Sequence, residues 1–195
     1  MKSRLLVSLL ALFAVCMSAA QATDDERAQK SAEIFDKATR LDLLNQILPL
    51  LFTKEQYRGI LPAIEQAREA VRKTERLEAD ELRKLEPKLN LALKEANEEG
   101  KVPPRELLNE VAGTLRKMSM ARRVIADMNV QAVLEAFNKT ANAGQKKAAA
   151  NALSPKIFDP TAKVEDMKDE DKLRVFVREI LLHPMAYEIM RKLSI

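Results

Sequence analysis

The stretch Glu98-Glu99-Gly100-Lys101-Val102-Pro103-Pro104 is the clearest stop inside this chain, and it separates two long runs that both repeat with a helical period. Glycine suits the left-handed conformation that closes a helix. Two consecutive prolines block continuation while fitting the first turn of a new helix. Before the stop, Tyr57, Leu61, Ile64 and Val71 form one apolar stripe, which Leu82, Leu85 and Leu89 resume. After it, Leu108, Val111, Leu115, Met118, Ile125 and Met128 form a second, which Leu134 and Phe137 extend or restart. Two such runs around a short turn predict an antiparallel helical hairpin over 53–141.

Residues 72–81, between the halves of the first stripe, are almost wholly polar. They read either as a hairpin tip of their own or as the exposed middle of one helix. No Gly or Pro interrupts them, and the step from Val71 to Leu82 is three turns, returning to the same face within about 20°. The preserved phase favours one helix from 54 to about 97, supported by (i, i+4) pairs Glu69–Lys73 and Asp80–Lys84 and bent at Pro62 and Pro87. Such a helix is about 66 Å long, against a radius of gyration of about 16 Å for a compact chain of this size. Either the prolines fold the rod back, or the molecule is elongated and covers its stripe as a homodimer; the second is the reading taken. With four glycines and 4 % aromatic residues, the composition agrees with an all-α fold, an elongated antiparallel hairpin carrying a compact C-terminal helical cap.

The N-terminus carries a different signal. Lys2 and Arg4 precede an apolar run from Leu5 to Met17 that is too short to cross a bilayer, and Ala20-Gln21-Ala22 sets small residues where a signal peptidase reads. Residues 1–22 thus read as a secretory signal peptide cut between Ala22 and Thr23. The chain is expected in a periplasm or outside the cell, with no transmembrane anchor after processing. Cys16, the only cysteine, leaves with the signal. The remaining domain, 23–195, then relies on packing alone. Losing Lys2 and Arg4 lowers the basic count from 33 to 31 against 29 acidic residues, a net charge of +2. No basic block is sustained and aromatics are scarce, which excludes nucleic-acid binding as a function class.

Within that domain, 23–52 holds a polar leader or frayed turn (23–31) and then a helix. Its stripe is Ile34, Phe35, Ala38, Leu41, Leu44, Ile47 and Leu48, and Pro49 ends or kinks it. Thr53 and Gln56 have the spacing of a capping box: the Thr53 hydroxyl accepts from the Gln56 amide while the Gln56 side chain reaches back to the Thr53 amide. Phe52 and Tyr57 stand where a hydrophobic staple closes. Asn142 and Gln145 repeat the design at the start of 142–195. There, 154–167 reads as a loop, and a helix with Leu173, Phe176, Val177, Ile180 and Leu181 on one face follows. A last short helix starts at Pro184 and ends near Leu193.

Candidate chemistry is thin. His183, the one histidine, precedes Pro184 and reads as a helix-start residue, and no Ser or Cys lies in a nucleophile-elbow context. Met118 and Met120 point about 200° apart on a helix and cannot share a soft metal ion. Asp166, Asp169, Glu170 and Asp171 lack the glycine turn of a calcium loop. No catalytic residue, cofactor or metal is assigned, although a carboxylate pair assembled only by the tertiary fold stays open. Arg116, Lys117, Arg122 and Arg123 are the candidate patch for an anionic partner, set against the plainer reading of a wet helix face. Arg122 falls nearest the apolar stripe.

The signal, the helical chain and the segment Phe52-Thr53-Lys54-Glu55-Gln56 together resemble the Spy/CpxP-type periplasmic proteins, whose recurring motif is Leu-Thr-x-x-Gln at a helix start. Phe52 replaces the leucine, Thr53 and Gln56 match, and Ala141-Asn142-Ala143-Gly144-Gln145 keeps the glutamine and a cap. The resemblance implies a helical, dimeric cradle that binds unfolded clients or reports envelope stress without ATP. Two functions are therefore expected: an exported binding protein of chaperone or stress-adaptor type, with protein clients, or a structural coiled-coil protein with a dedicated envelope partner.

Overall fold

The computed structural model describes residues 26–153, Thr161 and 166–195. They build an all-α fold with no strand among the described residues. Helix α1 covers 26–47, and a 3-10 turn follows at Leu48–Leu50. Then come α2 (Lys54–Glu99), α3 (Arg105–Thr140), α4 (Ala143–Ala152), α5 (Asp169–Phe176), a π-helical turn (Val177–Leu181) and α6 (Ala186–Leu193). The chain groups into two compact units, one ending at Asn45 and one from Gln46 to Ile195.

In the first unit α1 is already helical at 26, so of the two readings of 23–31, a polar leader or a frayed helical turn, the described residues follow the helical one. Arg27, Ala28, Gln29 and Lys30 are all good helix formers with no breaker among them. The expected stripe is exposed at Ile34, Phe35, Ala38 and Leu41, while Leu43 is buried.

In the second unit, α2 is one unbroken helix of 46 residues, about 69 Å long at 1.5 Å per residue. Both internal prolines sit at exposed positions, Pro62 and Pro87. The carbonyls of Arg58 and Arg83, which lose their i+4 donors, stand on exposed residues too, where water can serve them. The polar middle is held by charge pairs, but not the expected ones. Glu69 pairs with Arg72 at 2.8 Å and Arg76 at 3.5 Å, and Asp80 with Arg83 at 2.9 Å, while Lys84 takes Glu81. An oppositely charged partner stands one residue closer than the expected i+4 one in each case, Arg72 for Glu69, Arg83 for Asp80 and Glu81 for Lys84.

Gly100 closes α2 in the left-handed region at φ 66°, and its amide and that of Lys101 both turn back to the Glu95 carbonyl. The chain then reverses into α3. The two helices meet at Lys88–Glu110, Glu78–Arg122 and Ala67–Asn129 in turn, an antiparallel pairing. Near the base, α3 comes so close that a Cβ on Gly59 would lie 3.1 Å from the Thr140 hydroxyl.

Burial is concentrated at that base. Ile60 and Ile64 of α2, Val133 and Phe137 of α3, Phe176, Val177 and Leu181 of the α5–π segment and Met190 of α6 are nearly inaccessible. The π turn, with Leu182 N donating to Val177 O at 2.9 Å, widens the helix so that Val177, Ile180 and Leu181 all face inward. Rings of Phe52, Phe137 and Phe176 run through this core, with centroids 5.8 and 6.3 Å apart. The C-terminus is tied to the start of α2: Arg58 donates to Ser194 O at 3.1 Å, and Lys54 donates to Ile195 O.

Candidate functional site

Two structures stand out in the second unit, a polar node at the base of the hairpin and an ion pair along its seam. The node is made by the two helix starts. Thr53 Oγ1 accepts from Gln56 N at 3.2 Å while Gln56 Oε1 accepts from Thr53 N at 3.0 Å; Asn142 and Gln145 do the same at 2.9 Å in both directions. Phe52 and Tyr57 close a staple over the first box, edge to face at 5.5 Å. The two glutamine amides then face each other. Gln56 Nε2 donates to Gln145 Oε1 at 2.9 Å, and Gln145 Nε2 donates to Gln56 Oε1 at 3.0 Å. Each amide also reaches the carbonyl two residues before the other cap, Gln56 to Thr140 O at 2.9 Å and Gln145 to Leu51 O at 3.4 Å. The contacts repeat under a local two-fold relation. This node accounts for Thr53, Gln56, Asn142 and Gln145 by structure, and it pairs both glutamine amides within the chain.

Farther along the arm, α2 buries Tyr57, Ile64, Glu78 and Leu85 on a seven-residue spacing, with Val71 at the intervening position left 43 % exposed. Glu78 occupies a position that packing would give to an aliphatic side chain, and it is only 7 % exposed. Arg122 of α3 answers it. Its Nε lies 2.8 Å from Oε1 and 2.9 Å from Oε2, and Nη2 also donates to Oε2. The Arg122 guanidinium, through these hydrogen bonds, holds the Glu78 carboxyl below its ordinary range. Beside the pair lies an open groove of about 310 Å³ walled by Val71, Thr74, Glu75, Ile125 and Ala126. A second, of about 230 Å³, shares Val71 and Ala126 and continues toward Arg178 and Leu182. The sequence offered one sign of Glu78: it stands seven residues after Val71 and seven before Leu85. The wide stripe read at a period of 3.6 passed over it.

That same difference corrects the stripes. Val71 and Leu82 on α2, and Leu108, Leu115 and Met128 on α3, are exposed, whereas Ile60, Ala67 and Leu107 are buried. Beyond the base, α2 and α3 cover only a narrow seam of each other, so residues at the stripe's edges stay in solvent. Of the basic candidates, Arg122 is engaged with Glu78, while Arg116, Lys117 and Arg123 are exposed on other parts of α3. Met118 is half-buried and Met120 exposed. His183 Nδ1 accepts from Met185 N at 3.2 Å, a local cap. Among the described residues, no three His, Cys, Asp or Glu side chains gather as a metal site, and no helix is long and apolar enough to cross a membrane. Ala22, Thr23 and the rest of the signal segment, with most of the loop read over 154–167, lie outside the described residues. No protein-family model, no curated protein and no solved structure matches the chain.

Proposed function

We propose that this is an exported, non-enzymatic helical protein that holds unfolded or partly folded polypeptides, an envelope chaperone or stress adaptor working without ATP. One observation carries the reading. Away from the core at its base, the hairpin arm exposes Leu77, Leu91 and Leu93 on α2 and Leu115, Met120 and Val124 on α3, each by more than half. These side chains are interleaved with lysines, arginines and carboxylates. Apolar surface dispersed among charges gives many weak, adaptable contacts with a disordered chain and keeps the protein soluble when empty. The N-terminal signal segment and the Leu-Thr-x-x-Gln-like helix starts support the envelope assignment.

The test is aggregation of a chemically denatured client on dilution. The purified protein is expected to suppress light scattering at near-stoichiometric ratios across several clients and without nucleotide. No suppression with any of them rejects the reading. The seven-residue seam spacing favours a second reading, a coiled-coil element with one dedicated envelope partner or a second copy of the chain. That reading predicts a stable complex of fixed stoichiometry, or a concentration-independent dimer by light scattering, together with indifference to denatured clients.

A further inference from the structure

The outward face of α3 differs from its seam. Arg116, Met120, Val124 and Met128 recur at every fourth residue and form one row along the helix, drifting about 40° per step. The row lies on the side away from Met118, Arg122, Ile125 and Asn129, the last three of which touch or line the seam with α2. Met120, Val124 and Met128 are 62, 57 and 61 % exposed. Lys117 and Arg123 flank them within a turn, and Asp127 is the one acid between Val111 and Leu134. Arg116, Lys117 and Arg123 have no ion-pair partner among the described residues, in contrast to Arg122 with Glu78.

We infer that this face is a docking surface for acidic, apolar-bearing segments of polypeptide, a proposal that rests on the holding function above and names its partner chemistry. Three unpaired cations against one acid, set around an apolar row, complement carboxylates that alternate with aliphatic side chains. Methionine's unbranched, polarisable side chain adapts to partners of different shape, which suits a surface that meets many sequences. The three apolar side chains expose on the order of 300 Å² together, far short of the ~800 Å² each partner buries in a stable dimer, so a second copy is a poor occupant. The row also lacks the Trp, Tyr or Phe that anchors a helix at a lipid interface, which weighs against a membrane.

The purified protein is titrated with two labelled peptides of equal length, one alternating Asp and Glu with Leu, the other carrying Lys and Arg in place of the acids. The acidic peptide should bind about 10-fold more tightly than the basic one, and the charge-reversed variant R116E/K117E/R123E should lose about that factor and prefer the basic peptide. All three changed side chains are exposed, so its circular dichroism should match the wild type. A second variant, M120S/V124S/M128S, should weaken both peptides while keeping the preference between them. Equal binding of the two peptides, no binding of either, or indifference to the charge reversal overturns the proposal. So does reversal-sensitive binding to phosphatidylglycerol vesicles in place of the acidic peptide, which makes the face a lipid surface. Protection of a denatured client with a basic chain is measured alongside. Its persistence in the reversed variant isolates a failure of this face from a failure of the holding function, in which protection is absent for every client and variant.

Discussion

Substituting the two node glutamines singly and together asks whether the helix starts act as one unit. Gln56 accepts from Thr53 N and Gln145 Nε2 and donates to Thr140 O and Gln145 Oε1, all at 2.9–3.0 Å. At about 0.5–1 kcal/mol net for each bond at a half-buried site, Gln56→Ala should destabilise by about 2–4 kcal/mol. Gln145 is only 8 % exposed and loses an equivalent set, so Gln145→Ala should cost about 2–4 kcal/mol. The two amide–amide bonds vanish in either single variant, and each single also strands its partner's amide. The double variant should therefore cost less than the sum of the singles by about 1–2 kcal/mol. Equilibrium urea unfolding followed by far-ultraviolet circular dichroism measures all four species, with an unchanged slope confirming that the unfolding reaction is the same. If the two substitutions add to within about 0.5 kcal/mol, the glutamines serve two separate caps and the coupled node is wrong.

Four further outcomes follow from the same structure. Phe137, fully buried between Phe52 and Phe176, should cost about 3–5 kcal/mol as Phe137→Ala in the same urea assay. Gly100→Ala places a side chain at φ 66° and should destabilise by about 1 kcal/mol, whereas Leu51→Gly frees an exposed residue at φ 50° from strain and should stabilise by a similar amount. Arg122 lowers the Glu78 pKa from an ordinary value of 4.5, so the unfolded chain binds more protons in that window and stability falls as pH drops. The pair's contribution is present above about pH 4.5 and lost as pH falls through the folded value. Thermal midpoints measured against pH should thus decline less steeply on acidification in Glu78→Gln than in the wild type.

The residues that were legible in sequence are those whose partners lie within a turn or two. Thr53 with Gln56, Asn142 with Gln145, Phe52 with Tyr57 and the Gly100-to-Pro104 reversal depend on local backbone geometry, and local geometry is written in the order of residues. The continuity of α2 through 72–81 belongs here too, because absence of a breaker and preserved phase are properties of one helix. A helix's own sequence does not state how far it rotates about its axis when it meets another. That rotation decided that Leu107 is covered and Leu108 is not, that the seam keeps a period of seven, and that an acid from the polar middle is the buried one.

What the sequence by itself determined, then, is a set of capped helices and one long reversal. Each is set by hydrogen bonds and steric limits between near neighbours. Only the tertiary structure decided that Gln56 meets Gln145, that Glu78 meets Arg122, and that one face of α3 keeps its methionines and cations in water. Those are pairings between residues tens of positions apart, chosen by how two helices cross and by what remains uncovered after they do.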